Sequence, residues 1–379
     1  MFCSNAKHNS SGELYFNDNS PFVESIANEI EVPFIFVKSR PYKSNGLDRI
    51  LNMVDFYRNV KKIAKGIAKM HGDPDVIFAS SVHPLTLWAG IKIAKKYGVK
   101  CICEVRDLWP ESLIDYGYLH KKSINTKLLR AFEKKIYKKA SSIVFTMEGA
   151  YDYIVEQGWE NVIPRGKVHL INNGVDIEQF DHNRDCFHIQ DAELEDPDTF
   201  KVIYVGSIRK VNGLDLLLNV AKRIQDQKIV FLIWGNGDEK DRLIQIAADA
   251  SIQNVFFKGR VNKKYIPYIT TKADLNIAHN RESELFRFGV SFNKIFDYLA
   301  AGKPILCDFT SRYNPVIRLH AGIEVTDPTG EKVAEMIQNI AKGNSCDYEE
   351  LSRNARNAAE QTYNYKILSN QLIALIEQI

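Results

Sequence analysis

Short apolar runs alternate with stretches of helical spacing along most of this chain. In the first half the pattern predicts strands at residues 75–80, 100–105, 142–146 and 168–172, and helices at 85–97 and 124–140. After residue 199 it predicts strands at 200–205, 229–234, 255–257, 273–277, 303–307 and 322–325, and helices at 213–224, 240–250, 293–301, 331–341 and 368–379. Strand–helix alternation of this kind is typical of parallel α/β sheets. We therefore predict two Rossmann-like halves.

A polar, acidic segment lies between the two halves. A chain of 379 residues is long for a single hydrophobic core, so two domains are expected. We predict a first domain at residues 1–176, a linker at 177–199, a second domain at 200–362, and a final helix at 363–379 that can cross back to the first domain.

The overall composition is that of a soluble globular protein, with 45% hydrophobic and 26% charged residues. No run of eighteen apolar residues and no signal-peptide pattern is present in the sequence. The six cysteines have no Cys-x-x-Cys spacing, and Cys101 and Cys103 share one face of a predicted strand. We expect buried, reduced thiols and a cytoplasmic protein.

Positive charge is concentrated in the first half. Residues 1–176 carry 25 lysines and arginines against 19 acids, and residues 120–140 carry eight against the single acid Glu133. Within that segment the apolar side chains alternate with the lysines from Lys121 to Lys139; they are Leu128, Leu129, Phe132, Ile136 and Tyr137. The pattern fits either a solvated helix face or contact with an anionic membrane surface, at the inner face of the plasma membrane. Nucleic acid is disfavoured as a partner, because no recognised binding module accompanies the charge.

Two glycine-containing turns follow predicted strands of the second half. Gly206 precedes Arg209 and Lys210, which can neutralise a diphosphate, although an ordinary turn explains the glycine equally well. Gly235 and Gly237 permit close approach of a ligand to the backbone. A dinucleotide-binding fingerprint requires a third glycine where Lys240 stands, so an NAD site is disfavoured.

A third candidate segment runs from Gly289 to Pro304. Gly289, Val290 and Ser291 lead into a helix with Lys294 and Asp297 near its beginning. Backbone N–H groups, an ammonium group and a carboxylate at one helix end can hold phosphate and ribose hydroxyls. A capped helix with solvated charges is the alternative.

These segments, preceded by Asn172-Asn173-Gly174-Val175-Asp176 and by Phe180, resemble the family 4 retaining glycosyltransferases of GT-B fold. A closer likeness is to the polysaccharide-assembly subgroup that includes fucosamine-type transferases. That likeness rests on the runs at 80–84, 104–111 and 293–304. The resemblance implies an α/β protein in which two Rossmann-like domains face a cleft.

The resemblance also implies site residues. Asp297 would hydrogen-bond the donor ribose, the N–H groups of residues 289–291 would meet the diphosphate, and Lys294 would lie beside them. The turn at Arg260 and Val261 would contact the base. The implied nucleotide-sugar set comprises Gly206, Ser207, Arg209, Lys210, Gly235, Arg260, Val261, Gly289, Val290, Ser291, Lys294 and Asp297.

Four positions depart from the family pattern. Gly289 stands where the first of two paired glutamates is expected, and Glu282 or Glu284 are candidate substitutes. Ser207 and Asn212 stand where an arginine and a lysine are expected. Arg106, followed by Asp107, replaces a histidine. Residues 1–5 resemble the second strand of the family, so its opening strand, glycine-rich loop and helix are expected to be missing. Either the start codon is wrongly placed or the first lobe lacks this unit.

The implied reaction moves a sugar, with retention, from a UDP- or GDP-sugar to a hydroxyl of a glycan or lipid-linked acceptor in O-antigen or capsule assembly. The enzyme would be a hexosyltransferase-type glycosyltransferase that needs no metal or cofactor besides the donor. The candidate catalytic residues are Asp107, Arg106 and His83, although Asp107 is equally suited to capping a helix and His83 to packing. Asp73-Pro74-Asp75 and Asp196-Pro197-Asp198 are rejected as metal motifs because of their places in the fold. A non-catalytic GT-B-like scaffold and a UDP-sugar epimerase remain alternatives.

Overall fold

The computed structural model describes residues 1–7, 13–26, 32–43, 46–81, 83–224, 226, 228–344 and 347–379. Cys346 lies outside these residues. The chain forms two compact units: unit 1 comprises Met1–Phe145, Ile154–Leu170 and Ile376–Ile379, and unit 2 comprises Thr146–Tyr153 and Ile171–Leu375. Within the described part of the chain, no helix has the length and apolar character needed to cross a bilayer.

Unit 1 is an α/β unit with two sheets. Its strands are β1 (Phe2–Ser4), β2 (Phe22–Ile26), β3 (Pro33–Val37), β4 (Val76–Ser80), β5 (Lys100–Val105), β6 (Ser142–Phe145) and β7 (Val168–Leu170). Its helices are α1 (Leu47–His71), α2 (Pro84–Tyr97), α3 (Glu111–Asp115), α4 (Ile124–Lys139) and the end of α5 (Ala150–Glu156), with a 3₁₀ turn at Arg165–Lys167. Strands β4 to β7 are parallel and adjacent in sequence order, whereas β3 lies between the parallel β1 and the antiparallel β2.

The core of unit 1 forms where helices cover the parallel sheet. Cys101 and Cys103 are buried thiols whose sulfur atoms lie 4.0 Å apart, so the prediction for these two cysteines is confirmed. Gly90 lets α2 approach the sheet, since a Cβ there would lie 2.6 Å from the Cβ of Ala79. Helix α1 and the β2–β3 pair were not predicted from the sequence.

Helix α4 turns most of its apolar side chains inward. Ile136 and Tyr137 are buried, and Phe132 packs edge-on against Trp88 with ring centroids 5.6 Å apart. Ile124 and Leu128 remain exposed. The apolar spacing therefore reflects packing within unit 1. Of the apolar face expected to contact a membrane, only Ile124 and Leu128 are exposed beside the lysines among the described residues of this helix.

Unit 2 is built on one six-stranded parallel sheet. Its strands are β8 (Phe200–Val205), β9 (Ile229–Trp234), β10 (Val255–Gly259), β11 (Leu275–Ala278), β12 (Ile305–Cys307) and β13 (Gly322–Glu324), in the order β10-β9-β8-β11-β12-β13. Its further helices are α6 (Ile177–Cys186), α7 (Ala192–Glu195), α8 (Asp215–Arg223), α9 (Lys240–Asp249), α10 (Ile266–Thr271), α11 (Asn293–Ala301), α12 (Pro315–Arg318), α13 (Gly330–Ala341), α14 (Tyr348–Gln361) and α15 (Tyr365–Gln378). Short 3₁₀ turns lie at Lys210–Asn212, Lys263–Tyr265 and Glu284–Phe288. The predicted parallel α/β fold is confirmed.

The structure divides the chain differently from the sequence-based boundaries. Residues 177–199, predicted as a linker, contain α6 and α7 and belong to unit 2. Leu194 is buried in the core of that unit, and Lys258 on β10 binds Asp191 at 2.7 Å and Glu193 at 2.6 Å. The acidic composition that suggested a linker is thus explained by a lysine partner. Thr146–Tyr153, placed by sequence in the first domain, also belongs to unit 2.

Candidate functional site

The candidate nucleotide site of unit 2 lies at the carboxyl end of its sheet, where the direction of strand addition reverses between β8 and β11. Strands β8 and β11 pair only through Val202–Leu275 and Ile203–Asn276. Beyond that point the backbone N–H of Val205 donates to the Tyr298 hydroxyl at 2.8 Å instead. Such switch points are where open α/β sheets bind ligands.

Two predicted glycine turns lie at this edge of the sheet, and they pack against each other. The N–H of Gly206 donates to the carbonyl of Trp234 at 3.0 Å, and that of Gly235 donates to Gly259 at 2.8 Å. A Cβ at Gly235 would lie 1.8 Å from the Gly206 oxygen, and one at Gly237 would lie 2.0 Å from the Ile208 oxygen. The absence of side chains at Gly235 and Gly237 therefore makes room for the neighbouring turn, and close approach of a ligand to these glycines stays a prediction. Neither the Gly206 N–H nor the Gly235 N–H is left for a phosphate.

The loop before α11 (residues 289–292, the α11 loop) keeps two of its backbone N–H groups available. Gly289 has a φ of +102° and donates its N–H to Phe286 at 2.9 Å. Asn173 donates its side-chain amide to the carbonyl of Ser291 at 2.9 Å, and the Ser291 hydroxyl donates to Asn172. The backbone N–H groups of Val290 and Ser291 donate to no residue that the structure describes. The loop thus presents two fixed N–H groups that can bind an anion.

A second support for the α11 loop comes from the Thr146–Tyr153 segment. Gly149 donates its N–H to the Phe288 carbonyl at 2.8 Å, and a Cβ at Gly149 would lie 2.8 Å from the same backbone. Asp152 accepts a hydrogen bond of 2.6 Å from the Tyr313 hydroxyl. The loop is therefore held from two stretches of chain that flank β7.

Lys294 lies in the first turn of α11, at the switch point. Its ammonium group donates to the carbonyl of His279 at 2.6 Å and lies 4.4 Å from the ring centroid of Tyr204. Burial lowers the pKa of Lys294 to about 8, against the opposing charge of Asp308. The ammonium is consequently held between Tyr204 of β8 and the residue that follows β11.

Asp297 follows Lys294 by nearly one helical turn. Burial raises the pKa of its carboxyl from 3.8 to about 6, and the charge of Lys263 opposes that shift. Among the described residues, none donates a hydrogen bond to this carboxylate. A desolvated carboxylate with unused acceptor capacity can accept hydrogen bonds from sugar hydroxyls.

The remaining predicted residues of unit 2 surround this centre at strand ends. The Ser207 hydroxyl donates to Asn212 at 2.9 Å, so these two neutral side chains bind each other. Arg209 and Lys210 enter the 3₁₀ turn that follows. Arg260 is exposed at the end of β10, next to Val261, which packs on the core.

The two candidate substitutes for the missing glutamate differ in their surroundings. Glu282 accepts a hydrogen bond of 2.9 Å from the N–H of Thr310, while partial burial raises the pKa of its carboxyl. Glu284 begins a 3₁₀ turn and is exposed. Glu282 therefore serves to hold the backbone at Thr310, whereas Glu284 remains available as a substitute for the missing glutamate.

Sequence reasoning missed a buried pair on the adjacent strand ends. His279 follows β11 and Asp308 follows β12, and both are fully buried with Nδ1 of the histidine 2.5 Å from the carboxylate. Nε2 of His279 lies 3.1 Å from the carbonyl oxygen of Gly213. The available signal was a polar residue directly after each of two apolar strands, because those positions share the sheet edge.

The candidate catalytic residues of unit 1 have simpler environments. His83 occupies the N-cap position of α2 and is buried against Phe56, with ring centroids 6.4 Å apart. Burial lowers the pKa of His83 to about 4, and the charge of Arg49 contributes, so the ring is neutral at pH 7. This placement agrees with the packing alternative.

Arg106 and Asp107 are exposed after β5. The N–H of Arg106 donates to the Ser81 hydroxyl at 3.2 Å, which joins the ends of β4 and β5. The predicted capping alternative for Asp107 is wrong, because the N-cap of α3 is Pro110 and no side chain caps that helix.

Comparison with known proteins agrees with this architecture. Residues 187–362 match the family model described as Glycosyl transferases group 1, and residues 20–179 match the one described as Glycosyltransferase Family 4. Two glycosyltransferase family models therefore match successive parts of the chain.

Individual relatives are distant. "Probable glycosyltransferase WbjE" of Pseudomonas aeruginosa is 25% identical over 233 residues, covering 61% of this chain and 56% of that protein. "O-antigen biosynthesis glycosyltransferase WclY" of Escherichia coli is 23% identical over 236 residues, covering 62% of each chain. The chain thus spans somewhat more than half the length of the curated relatives it matches.

Solved structures share the fold over nearly the whole chain. HepE of Anabaena in complex with UDP-glucose superposes with a TM-score of 0.65 at 14% identity, covering 92% of this chain and 87% of that one. An Escherichia coli trehalose-6-phosphate protein bound with UDP-2-fluoro glucose gives 0.71 at 11% identity, covering 100% and 92%. The predicted GT-B fold is confirmed.

Proposed function

We propose that this protein is a glycosyltransferase that moves a sugar from a nucleoside diphosphate sugar to a hydroxyl group. The observation that carries the proposal is the arrangement at the beginning of α11. There, two unused N–H groups, the Lys294 ammonium and the Asp297 carboxylate surround one helix end. N–H dipoles and a cation suit a departing diphosphate, and a carboxylate suits ribose hydroxyls.

Uracil is the base we propose for the donor, and a surface polysaccharide is the product. The complex of HepE with UDP-glucose supports the first choice, and the O-antigen name of WclY supports the second. The proposed transfer is hexosyl-type, retains the anomeric configuration and needs no metal. Proton NMR of the product anomer tests retention, and activity in the presence of a chelator tests metal independence.

A lipid-linked acceptor would lie at a membrane surface, where the basic helix α4 has a use. Ile124 and Leu128 are exposed on this helix together with Lys127, and the exposed Lys121 lies in the turn before it. Co-sedimentation with anionic vesicles, lost in high salt and absent with neutral vesicles, tests this association.

Calorimetric titration of the full chain with UDP and with GDP tests the central proposal. We expect binding in the micromolar range for one nucleotide and much weaker binding of the other, with ADP as the control ligand. Absence of binding by both nucleotides at millimolar concentration would sink the enzyme proposal and favour the scaffold alternative. Incubation with a UDP-sugar in the absence of acceptor, followed by analysis of the sugar, distinguishes an epimerase.

A further inference from the structure

The turn after β8 (residues 206–213, the β8 turn) lies beside an arginine that the predicted site does not include. Arg281 stands in the loop after β11, and its stem covers Gly213. A Cβ at Gly213 would lie 3.3 Å from the Cβ and 3.9 Å from the Cγ of Arg281. Gly213 has a φ of +66°, which favours glycine. Both this backbone conformation and the packed stem of Arg281 therefore favour a residue without a side chain at position 213.

The guanidinium group of Arg281 has no partner among the described residues. Arg281 is exposed, and no carboxylate or carbonyl of the described chain accepts from it. The acidic groups nearby are engaged elsewhere: Asp215 binds Arg242 through two hydrogen bonds of 2.8 Å, and Glu282 binds the N–H of Thr310. An unpaired arginine consequently borders the turn where phosphate charge is expected.

The charges of the predicted site allow one further cation to bind the diphosphate. Ser207 and Asn212 of the β8 turn are neutral and bind each other. The Lys294 ammonium already donates to His279. Arg209 and Lys210 of the same turn are the other predicted cations, and a planar guanidinium at Arg281 can add two parallel hydrogen bonds to a diphosphate.

The buried pair His279–Asp308 fixes the loop that carries Arg281. Nδ1 of His279 faces the Asp308 carboxylate and Nε2 faces the Gly213 carbonyl. The ring therefore joins the loop after β11 to the β8 turn. Arg281 follows only two residues later, so its position relative to Gly213 is set by this pair.

Resting on the proposed function, we infer that Arg281 binds the diphosphate of the nucleotide-sugar donor and that His279 and Asp308 are positioning residues for it. Arg281 touches the donor. The histidine and the aspartate act by holding the Gly213 carbonyl at a fixed distance from the loop.

Calorimetric titration with UDP and with uridine tests this assignment. Arg281→Ala should weaken UDP binding about tenfold, the effect of losing a charge-assisted hydrogen bond at a partly exposed site, and should leave uridine binding unchanged. The UDP affinity of Arg281→Lys should fall between those of the wild type and Arg281→Ala. Arg353→Ala removes another exposed arginine of unit 2, on α14, and should change neither affinity. If guanine proves to be the base, GDP and guanosine replace these probes.

The outcomes separate the inference from the proposed function. A wild-type chain that binds neither nucleotide contradicts the proposed function. Wild-type binding of UDP that Arg281→Ala leaves intact, or that falls equally for uridine, contradicts the role of Arg281 alone.

A double-mutant cycle tests the positioning role. Asp308→Asn should weaken UDP binding several-fold in the wild-type background and add nothing in the Arg281→Ala background, because it acts through that arginine. Losses that multiply would contradict the positioning role. If Asp308→Asn melts at a lower temperature than the assay allows, His279→Gln replaces it, since a glutamine amide has its donors on one nitrogen and cannot join Asp308 to the Gly213 carbonyl as the two ring nitrogens do.

Discussion

The two α/β units of this chain place their candidate residues in different physical settings. In unit 2, the candidate groups are desolvated and fixed: Lys294 is bound to a carbonyl, Asp297 has a raised pKa, and the α11 loop is supported from two sides. In unit 1, His83 is buried, whereas Arg106 and Asp107 are exposed at a strand end, although desolvation still raises the pKa of the Asp107 carboxyl. Fixed, desolvated groups are typical of a binding site formed before the ligand arrives. The contrast supports the proposal that unit 2 recognises the nucleotide and leaves the chemistry of transfer to be tested in unit 1.

The largest expected effect tests whether the turns of unit 2 are as tightly interlocked as the geometry indicates. Gly237→Ala would place a Cβ 2.0 Å from the backbone oxygen of Ile208. Because two backbones must then separate, we expect a loss of more than about 3 kcal/mol in the free energy of unfolding. Urea denaturation followed by circular dichroism measures it. Gly66→Ala on α1, where a Cβ meets nothing within 4 Å, is the matched control and should lose no stability. Equal stability of the two variants would show that the turns are loosely packed.

The next effect asks whether unit 1 contributes to the reaction at all. Asp107→Asn should lower the turnover number about a hundredfold if this carboxylate takes part in proton transfer, while the affinity for UDP stays unchanged. The measurement is release of UDP from the donor in the presence of acceptor. Asp115→Asn, on the last residue of α3, is the control and should retain full activity. A normal turnover number for Asp107→Asn would remove this residue from the catalytic set.

The smallest expected effect concerns the cost of keeping Asp297 ionised. Its folded pKa of about 6 exceeds the ordinary value of 3.8, so at pH 7 the carboxylate is ionised in both states and folding bears the desolvation cost. Asp297→Asn should raise the free energy of unfolding at pH 7 by about 1–2 kcal/mol, and this gain should fade as the pH falls from about 6 to about 4. The same variant should bind UDP-glucose about tenfold more weakly at pH 7.

The pH profile of binding isolates the same group. Affinity of the wild type for UDP-glucose should decline as the pH falls through about 6, since protonation removes the acceptor. UDP-glucose is the suitable ligand because both of its phosphates are esterified and do not titrate there. Asp297→Asn should show no such decline, and Asp249→Asn on α9 should behave as the wild type does. A parallel decline in all three proteins would point to another group.

Sequence patterns predicted the architecture well, because apolar period and strand–helix alternation report burial directly. The strands from β8 to β13 appear within a few residues of their predicted positions. The order of strands within the sheet was not predictable from these patterns, since it depends on pairings between distant segments. His279 and Asp308 were missed for that reason: they are 29 residues apart in sequence and become neighbours only through the pairing of β11 with β12.

Glycine showed a second limit of sequence reasoning. Gly206, Gly235 and Gly289 all follow strands or precede a helix and were interpreted alike. Only the coordinates distinguish Gly235, whose missing Cβ admits a protein carbonyl, from Gly289, which introduces a loop with unused N–H groups. The resemblance assigned the α11 loop and Asp297 to one site, which stays a prediction, and it contained no information on Arg281.

The support of the α11 loop by Gly149 has a consequence for how this protein can be divided. Unit 2 is discontinuous along the chain, since Thr146–Tyr153 precedes β7 of unit 1. A fragment that begins at residue 171 would lack the N–H that anchors Phe288 and the carboxylate that binds Tyr313. An exchange of unit 2 between relatives must therefore transfer the eight residues Thr146–Tyr153 together with Ile171–Leu375, so these two stretches are inherited as one unit.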